Sequence, residues 1–304
     1  MHHINRHDWL HTPQGEPRGY IQSQKLQELW FHTGTICNLR CPFCLEGSKP
    51  GDNRINKLTF ADAKPYMEEA LGLGVQQFSF TGGEPFVIPE IMEILKYALR
   101  HKPCLVLTNG TKPLLQRIED IEALQQQKFP LSFRISLDYP NPQKHDAGRG
   151  QGNFMMALET LGMLANKGFN VSIARQQQAT EDKEAVENSF RQFFADVGIH
   201  HPIPIISFPD FLTPGSIPQV PYITEHCMTT YKNAHSRAQL MCNYSRMVLK
   251  KDGKMCVYAC TLVDDDEDYH LATTLKESLD ITIMLKHHRC YSCFASGASC
   301  SELS

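Results

Sequence analysis

Between Leu29 and Phe208 the chain alternates two textures. Short apolar runs at Leu29–His32, Gln76–Phe80, Cys104–Thr108, Leu131–Leu137, Phe169–Arg175 and Ile203–Ser207 predict six strands. Between them, apolar residues recur three and four positions apart. Ile91, Ile94, Leu95 and Ala98 share one helical face, with Pro89 near the helix start. Phe154, Ala157, Leu158, Leu161 and Leu164 share another, and Phe190, Phe193, Phe194 and Val197 a third. Strands alternating with helices predict an α/β fold, a parallel sheet with helices packed outside it. Six such units are too few to close an eight-fold barrel. The expectation is therefore a partial (β/α)6 TIM-like barrel, with its chemistry at the C-terminal ends of the strands.

The texture then changes. Pro209, Pro214, Pro218 and Pro221 mark a connection. Beyond it, the runs Arg246–Lys250 and Lys254–Tyr258 flank Lys251-Asp252-Gly253, a hairpin signal. Asp264–Asp268 reads as a solvated acidic turn. The pattern divides the chain into an N-terminal extension (1–28), the barrel (29–208), a linker (209–225) and a small C-terminal α+β extension (226–304).

Composition adds one odd feature. The chain has 304 residues, 41% hydrophobic and 21% charged, with a formal net charge of −3, so no overall basic field points to nucleic acid. There is no apolar run of about 18 residues to span a membrane, and residues 1–6 lack the apolar core of a signal peptide. A cytoplasmic protein without nucleic-acid or membrane partners is expected. Eleven cysteines cannot form a fully paired intramolecular disulfide framework. In a reducing compartment such thiols ligate metal or carry redox chemistry. They fall into two sets: Cys37, Cys41 and Cys44 early; Cys227, Cys242, Cys256, Cys260, Cys290, Cys293 and Cys300 late. Cys104 lies between, inside an apolar run, as a small core residue.

Cys37, Cys41 and Cys44 follow the first predicted strand within eight residues, so a folded loop can aim all three at one point. Thiolates suit both zinc and iron–sulfur clusters, and the spacing alone leaves both open. Three thiolates would leave one iron of a 4Fe–4S cluster without a protein ligand. Further motifs stand at the ends of later strands: Thr81-Gly82-Gly83-Glu84-Pro85, Leu107-Thr108-Asn109-Gly110-Thr111, Ile135-Ser136-Leu137-Asp138, and His145-Asp146 with Arg149-Gly150.

In this order, these motifs resemble those of the radical SAM superfamily, over roughly residues 29–208. Cys37, Cys41, Phe43 and Cys44 match its CxxxCxxC segment with an aromatic before the last cysteine. The resemblance implies a 4Fe–4S cluster on Cys37, Cys41 and Cys44, with S-adenosylmethionine on the open iron. It implies cofactor contacts from Phe43, from Gly82, Gly83 and Glu84 to the methionine amino group, and from Thr108, Asn109 and Ser136 to the ribose and carboxylate. Arg149 is implied to pair with the methionine carboxylate. The two glycines are read as letting the backbone approach the cofactor.

Cys242, Cys260, Cys290 and Cys293, spanning the hairpin and a CxxC, resemble the twitch or SPASM-type extension that holds an auxiliary 4Fe–4S cluster; Cys256, Cys300 and Cys227 are reserves. The spacing after Gly253 departs from the full SPASM pattern, which favours a shorter one-cluster form. His287-His288 beside Cys290 admits a zinc reading. The implied reaction is hydrogen abstraction from a substrate by a 5′-deoxyadenosyl radical, with an electron donor such as flavodoxin or ferredoxin as partner. The outcome expected is oxidation or dehydrogenation of a small molecule, because residues 1–28 are short for a leader-binding domain. Peptide modification by oxidation, cross-linking or epimerisation is the alternative, and a zinc-binding structural protein a third reading. Asp138 and Asp210, at strand ends, are candidate bases.

Overall fold

In the computed structural model, the described residues are 6–23, 25–178, 180–208, 216–297 and 300–301. The strands, in chain order, are β1 (Tyr20–Ile21), β2 (Glu28–His32), β3 (Gln77–Thr81), β4 (Cys104–Thr108), β5 (Leu131–Ser136), β6 (Asn170–Gln176), β7 (Ile205–Phe208), β8 (Ser245–Lys251), β9 (Lys254–Tyr258), β10 (His270–Ala272) and β11 (Ile283–Met284). The chain separates into two compact units. One holds residues 31–63 and 77–216; the other holds 1–30, 64–76 and 217–304.

The first unit is the α/β layer. Its strands follow chain order from the end of β2 through β3, β4, β5, β6 and β7. Every pair from β3 to β7 is parallel, in registers such as Phe78↔Cys104, Thr108↔Ile135 and Ser136↔Ala174. Among the described residues β7 has no strand on its far side, so the barrel is partial. Such sheets are covered on both faces, which explains near-continuous apolar runs such as Cys104-Leu105-Val106, all buried.

The helical faces read from the sequence are the buried ones. Ile91, Ile94, Leu95 and Ala98 are buried on the helix Ile91–Ala98, as are Phe154, Ala157, Leu158, Leu161 and Leu164 on Asn153–Asn166. On Lys183–Asp196, Phe190 and Phe194 are buried and stacked. Cys104 is buried in β4, as expected of a core thiol.

The second unit gathers both ends of the sequence. β1 pairs antiparallel with β11, Tyr20 opposite Met284. β8 and β9 form the expected hairpin, with Lys251 opposite Lys254. Asp252 (φ 51°) and Gly253 (φ 75°) make its turn. Positive φ at both central residues is the type I′ geometry that matches strand twist. β10 adds to β9, and the short helix His288–Ser296 carries the CxxC. Tyr269 ties this unit together. It is buried, meets the Trp9 ring edge-on at 5.1 Å, and its hydroxyl donates to the Met284 carbonyl (2.8 Å) while accepting from the Lys286 and His287 amides.

Candidate active site

After β2 the chain runs through Thr33–Ile36 into the cysteine loop and returns to its starting point. Leu58 N donates to Thr33 O (3.2 Å) and Thr35 N to Ile55 O (3.1 Å). Inside, Asp52 accepts from Thr35 Oγ1 (3.0 Å) and is clamped by Arg54 at 2.9–3.2 Å. Burial raises the Asp52 pKa, but the Arg54 bonds outweigh it and hold the carboxyl below its usual range. Cys37 N donates to Lys49 O and Cys44 N to Cys41 O, which folds the loop on itself. The three thiols influence one another: burial pushes Cys37 up to about 12, with Glu84, Cys41 and Cys44 adding to the rise. Cys41 and Cys44 are raised chiefly by burial too.

The end of β3 sets the position of this loop. Gly83 N donates to Gly34 O (2.9 Å) and Glu84 N to Ile36 O (3.1 Å). A Cβ on Gly83 would lie 2.3 Å from Ile36 O, and one on Gly82 (φ 137°) 2.7 Å from Thr33 Oγ1. These glycines let the end of β3 come close to the segment that leads into Cys37.

Glu84 is 1% exposed. Its carboxylate accepts from Thr108 Oγ1 (2.8 Å), Asn109 N (2.8 Å) and Phe86 N (3.1 Å), joining the ends of β3 and β4. Burial raises its pKa to about 7, against the lowering by these bonds. Asn109 donates to Asn38 Oδ1 (2.9 Å) and lies 3.9 Å from Cys37 Sγ; Asn38 donates to Thr111 Oγ1 (2.9 Å). Asn38 and Thr111 were not singled out from the sequence. Their positions inside the CNLRC and TNGT segments are the signal that was available.

Arg149 closes the site from the helix Pro142–Arg149. Its fork grips Asp138, Nε to Oδ2 at 2.5 Å and Nη2 to Oδ1 at 3.0 Å, and lies 5.4 Å from the Phe43 ring centroid. Phe43 also packs on Gly148, where a Cβ would meet it at 2.3 Å. Arg149 loses basicity to burial, but Asp138, Cys41 and Cys44 more than restore it, so it stays charged. His145 accepts from Asp138 N (3.2 Å), and burial lowers it to about 4. Asp146 caps the next helix, accepting from Gly152 N (2.7 Å) and Phe154 N (2.8 Å). Asp138 is 1% exposed with both oxygens held by Arg149, unlike a base open to substrate. Ser136 stands at the end of β5. Asp210 lies outside the described residues.

The late cysteines form a second group. Cys242, Cys260, Cys290 and Cys293 line one cavity with Leu240, Ala259, Val263 and Leu285. Burial raises all four, and Cys242, Cys290 and Cys293 add to the rise at others of the group; Cys290 reaches about 12. Tyr269 Oη is 3.6 Å from Cys290 Sγ. Cys227, Cys256 and Cys300 do not line this cavity. Neither do His287 and His288, and His287 instead faces Asp265 at 3.2 Å. The acidic turn is matched by cations: Lys286 with Asp266 and Asp268, Lys251 with Glu267, and Arg289 with Asp265. Arg246 lies beside the group. Burial lowers it to about 10, while Cys242 and Cys260 raise it.

Residues 31–175 match the model of the radical SAM superfamily. The chain carries a radical SAM domain. It is 36% identical over 140 residues to the antilisterial bacteriocin subtilosin biosynthesis protein AlbA of Bacillus subtilis, covering 45% of this chain and 30% of that protein. It is 33% identical over 134 residues to the mycofactocin maturase MftC of Mycolicibacterium smegmatis, covering 44% and 33%. The chain thus spans about a third of the length of these curated relatives. The fold is similar to Streptococcus suis SuiB bound to precursor peptide SuiA (TM-score 0.60, 14% identity, 84% of this chain and 64% of that one). It is also similar to anSMEcpe with bound AdoMet and Cp18Cys peptide (TM-score 0.58, 17% identity, 88% and 82%). This family binds a 4Fe–4S cluster and S-adenosylmethionine. No helix among the described residues is long and apolar enough to cross a membrane.

Proposed function

We propose that this chain is a radical SAM oxidoreductase with one auxiliary 4Fe–4S cluster. The observation that carries the reading is the pair of thiol groups: three cysteines on one folded loop, and four lining one buried cavity. Three soft ligands with an open position fit a cluster that binds a small molecule, and four fit a closed one. Bound there, cluster and cofactor supply a 5′-deoxyadenosyl radical that takes a hydrogen atom from the substrate.

The protein's own contribution is positional. Cys37, Cys41 and Cys44 hold the first cluster. Gly82 and Gly83 seat their loop against β3. Glu84, Thr108, Asn109 and Ser136 line the strand ends that face the cofactor. Arg149, oriented by Asp138 and flanked by Phe43, presents a cation for the methionine carboxylate. Buried groups held by several bonds move little, which is what pre-organised electrostatics requires. Cys242, Cys260, Cys290 and Cys293 would hold the auxiliary cluster, which would supply an electron acceptor for the oxidation.

A peptide is the first substrate class to test, since two relatives at 36% and 33% identity are named for bacteriocin biosynthesis and mycofactocin maturation. A small molecule is the second, since relatives named AdoMet-dependent heme synthase and GTP 3′,8-cyclase are matched at 30% and 29% identity. A reduced electron donor such as flavodoxin or ferredoxin is the partner this reading requires. The test is to change Cys37, Cys41 and Cys44 together to Ala. S-adenosylmethionine cleavage should be lost while about four irons per chain remain on the second site. Continued 5′-deoxyadenosine formation would refute the first assignment, and near-zero iron the second.

A further inference from the structure

Arg246, in β8, is a cation with no exposure to solvent. Its guanidinium donates to three backbone carbonyls: Nη1 to Cys242 O (2.8 Å) and Ser245 O (2.7 Å), and Nη2 to Ser278 O (3.2 Å). Nε is buried with no partner. Among the described residues Arg246 makes no ion pair, and the carbonyl of Cys242, which lines the four-cysteine cavity, ties it to that site. Removing a charge from water without a counter-charge is strongly unfavourable. Four neutral thiols, Cys242 buried and the other three half-buried, supply none. Four thiolates around a cationic metal group carry net negative charge and supply one.

We propose that Arg246 is the internal counter-charge of the four-cysteine site, and that it raises the reduction potential of a 4Fe–4S cluster held there. This rests on the auxiliary-cluster reading above. Reduction adds one electron to the cluster and so one negative charge. A fixed positive charge nearby stabilises the reduced form more than the oxidised form. Arg246 has no exposure to solvent, so water and salt screen its charge little. Net charge, burial and hydrogen bonding are the means by which a protein sets such potentials. In the proposed reaction the electron comes from the substrate-centred radical, which is oxidised as the cluster is reduced; the proton released leaves with the product's base or solvent. Arg246 is therefore a positioning residue for charge, with no contact to substrate.

The test uses the full chain carrying the Cys37, Cys41 and Cys44 to Ala changes, so that one cluster remains. The protein is reconstituted anaerobically with iron and sulfide, its iron is counted, and it is titrated with dithionite while the reduced cluster is followed by electron paramagnetic resonance. Arg246→Gln keeps donors for the carbonyls but removes the charge. It should shift the reduction equilibrium at least about tenfold towards the oxidised form, about 59 mV for one electron. Arg246→Lys should stay within about threefold of the parent, as retention of a point charge requires. Equal shifts in Gln and Lys, or none in Gln, would overturn the proposal and leave Arg246 a tie between carbonyls. If Gln does not fold when loaded but Lys does, a buried charge is required and the proposal stands; if Lys fails as well, it is overturned. Near-zero iron in the parent with Arg246 intact would instead overturn the auxiliary-cluster reading itself.

Discussion

Changing Gly83 to Ala tests how the cysteine loop is held. The new Cβ would sit 2.3 Å from Ile36 O, 2.7 Å from Ile36 C and 2.9 Å from Thr35 O, all backbone atoms with no side chain to rotate away. Restoring ordinary contact at 3.4 Å needs a shift of about 1.1 Å (3.4 − 2.3). That shift must be taken by the segment leading into Cys37, and it strains two bonds, Gly83 N to Gly34 O and Glu84 N to Ile36 O. Overpacking costs about 1–3 kcal/mol, and each bond about 0.5–1.5 kcal/mol. The expected loss is roughly 2–6 kcal/mol. Gly72→Ala is the control, because its Cβ would meet nothing within 4 Å, and it should stay within about 0.5 kcal/mol. The assay is urea unfolding followed by circular dichroism, with iron counted after reconstitution. Gly83→Ala should also hold less iron at the first site. A Gly83→Ala protein that unfolds with Gly72→Ala and binds iron fully would refute the reasoning.

Two further predictions concern stability. Glu84 titrates at about 7 in the folded chain against an ordinary value of 4.5, because it is buried. Between those values the folded state holds the extra proton, so stability falls as pH rises through this window, by about 3 kcal/mol from this group. In Glu84→Gln the slope of unfolding free energy between pH 4.5 and 7 should flatten; an unchanged slope would remove Glu84 as its source. At the hairpin, Gly253 has φ 75° and open space around its Cβ position, so Gly253→Ala isolates backbone strain. It should cost about 1–2 kcal/mol in denaturant unfolding, and a protein of unchanged stability would contradict the turn geometry.

The parallel strands and helical faces were legible because they depend on local periodicity. A buried parallel strand such as β4 is an apolar run wherever it packs, and Phe154, Leu158 and Leu161 share a face by helix geometry alone. The Asp-Gly turn was legible because few residues accept positive φ. The three early cysteines lie too close in sequence to scatter. Pairings across long separations were not legible. The union of β1 with β11 joins residues more than two hundred and sixty positions apart, and no local pattern encodes it. The sequence named Asp138 and Arg149 for separate tasks, and only the fold places one in the other's grip. Gly83 has the Ile36 backbone as its neighbour, a contact that no local pattern shows. Arg246 opened an ordinary alternating strand in the sequence, and tertiary packing alone removed its charge from water and set it beside Cys242. Periodicity and turn chemistry act between neighbours in the chain, so sequence determines them directly. Burial, counter-charge and close backbone approach depend on which distant segments meet, and that is decided by the fold.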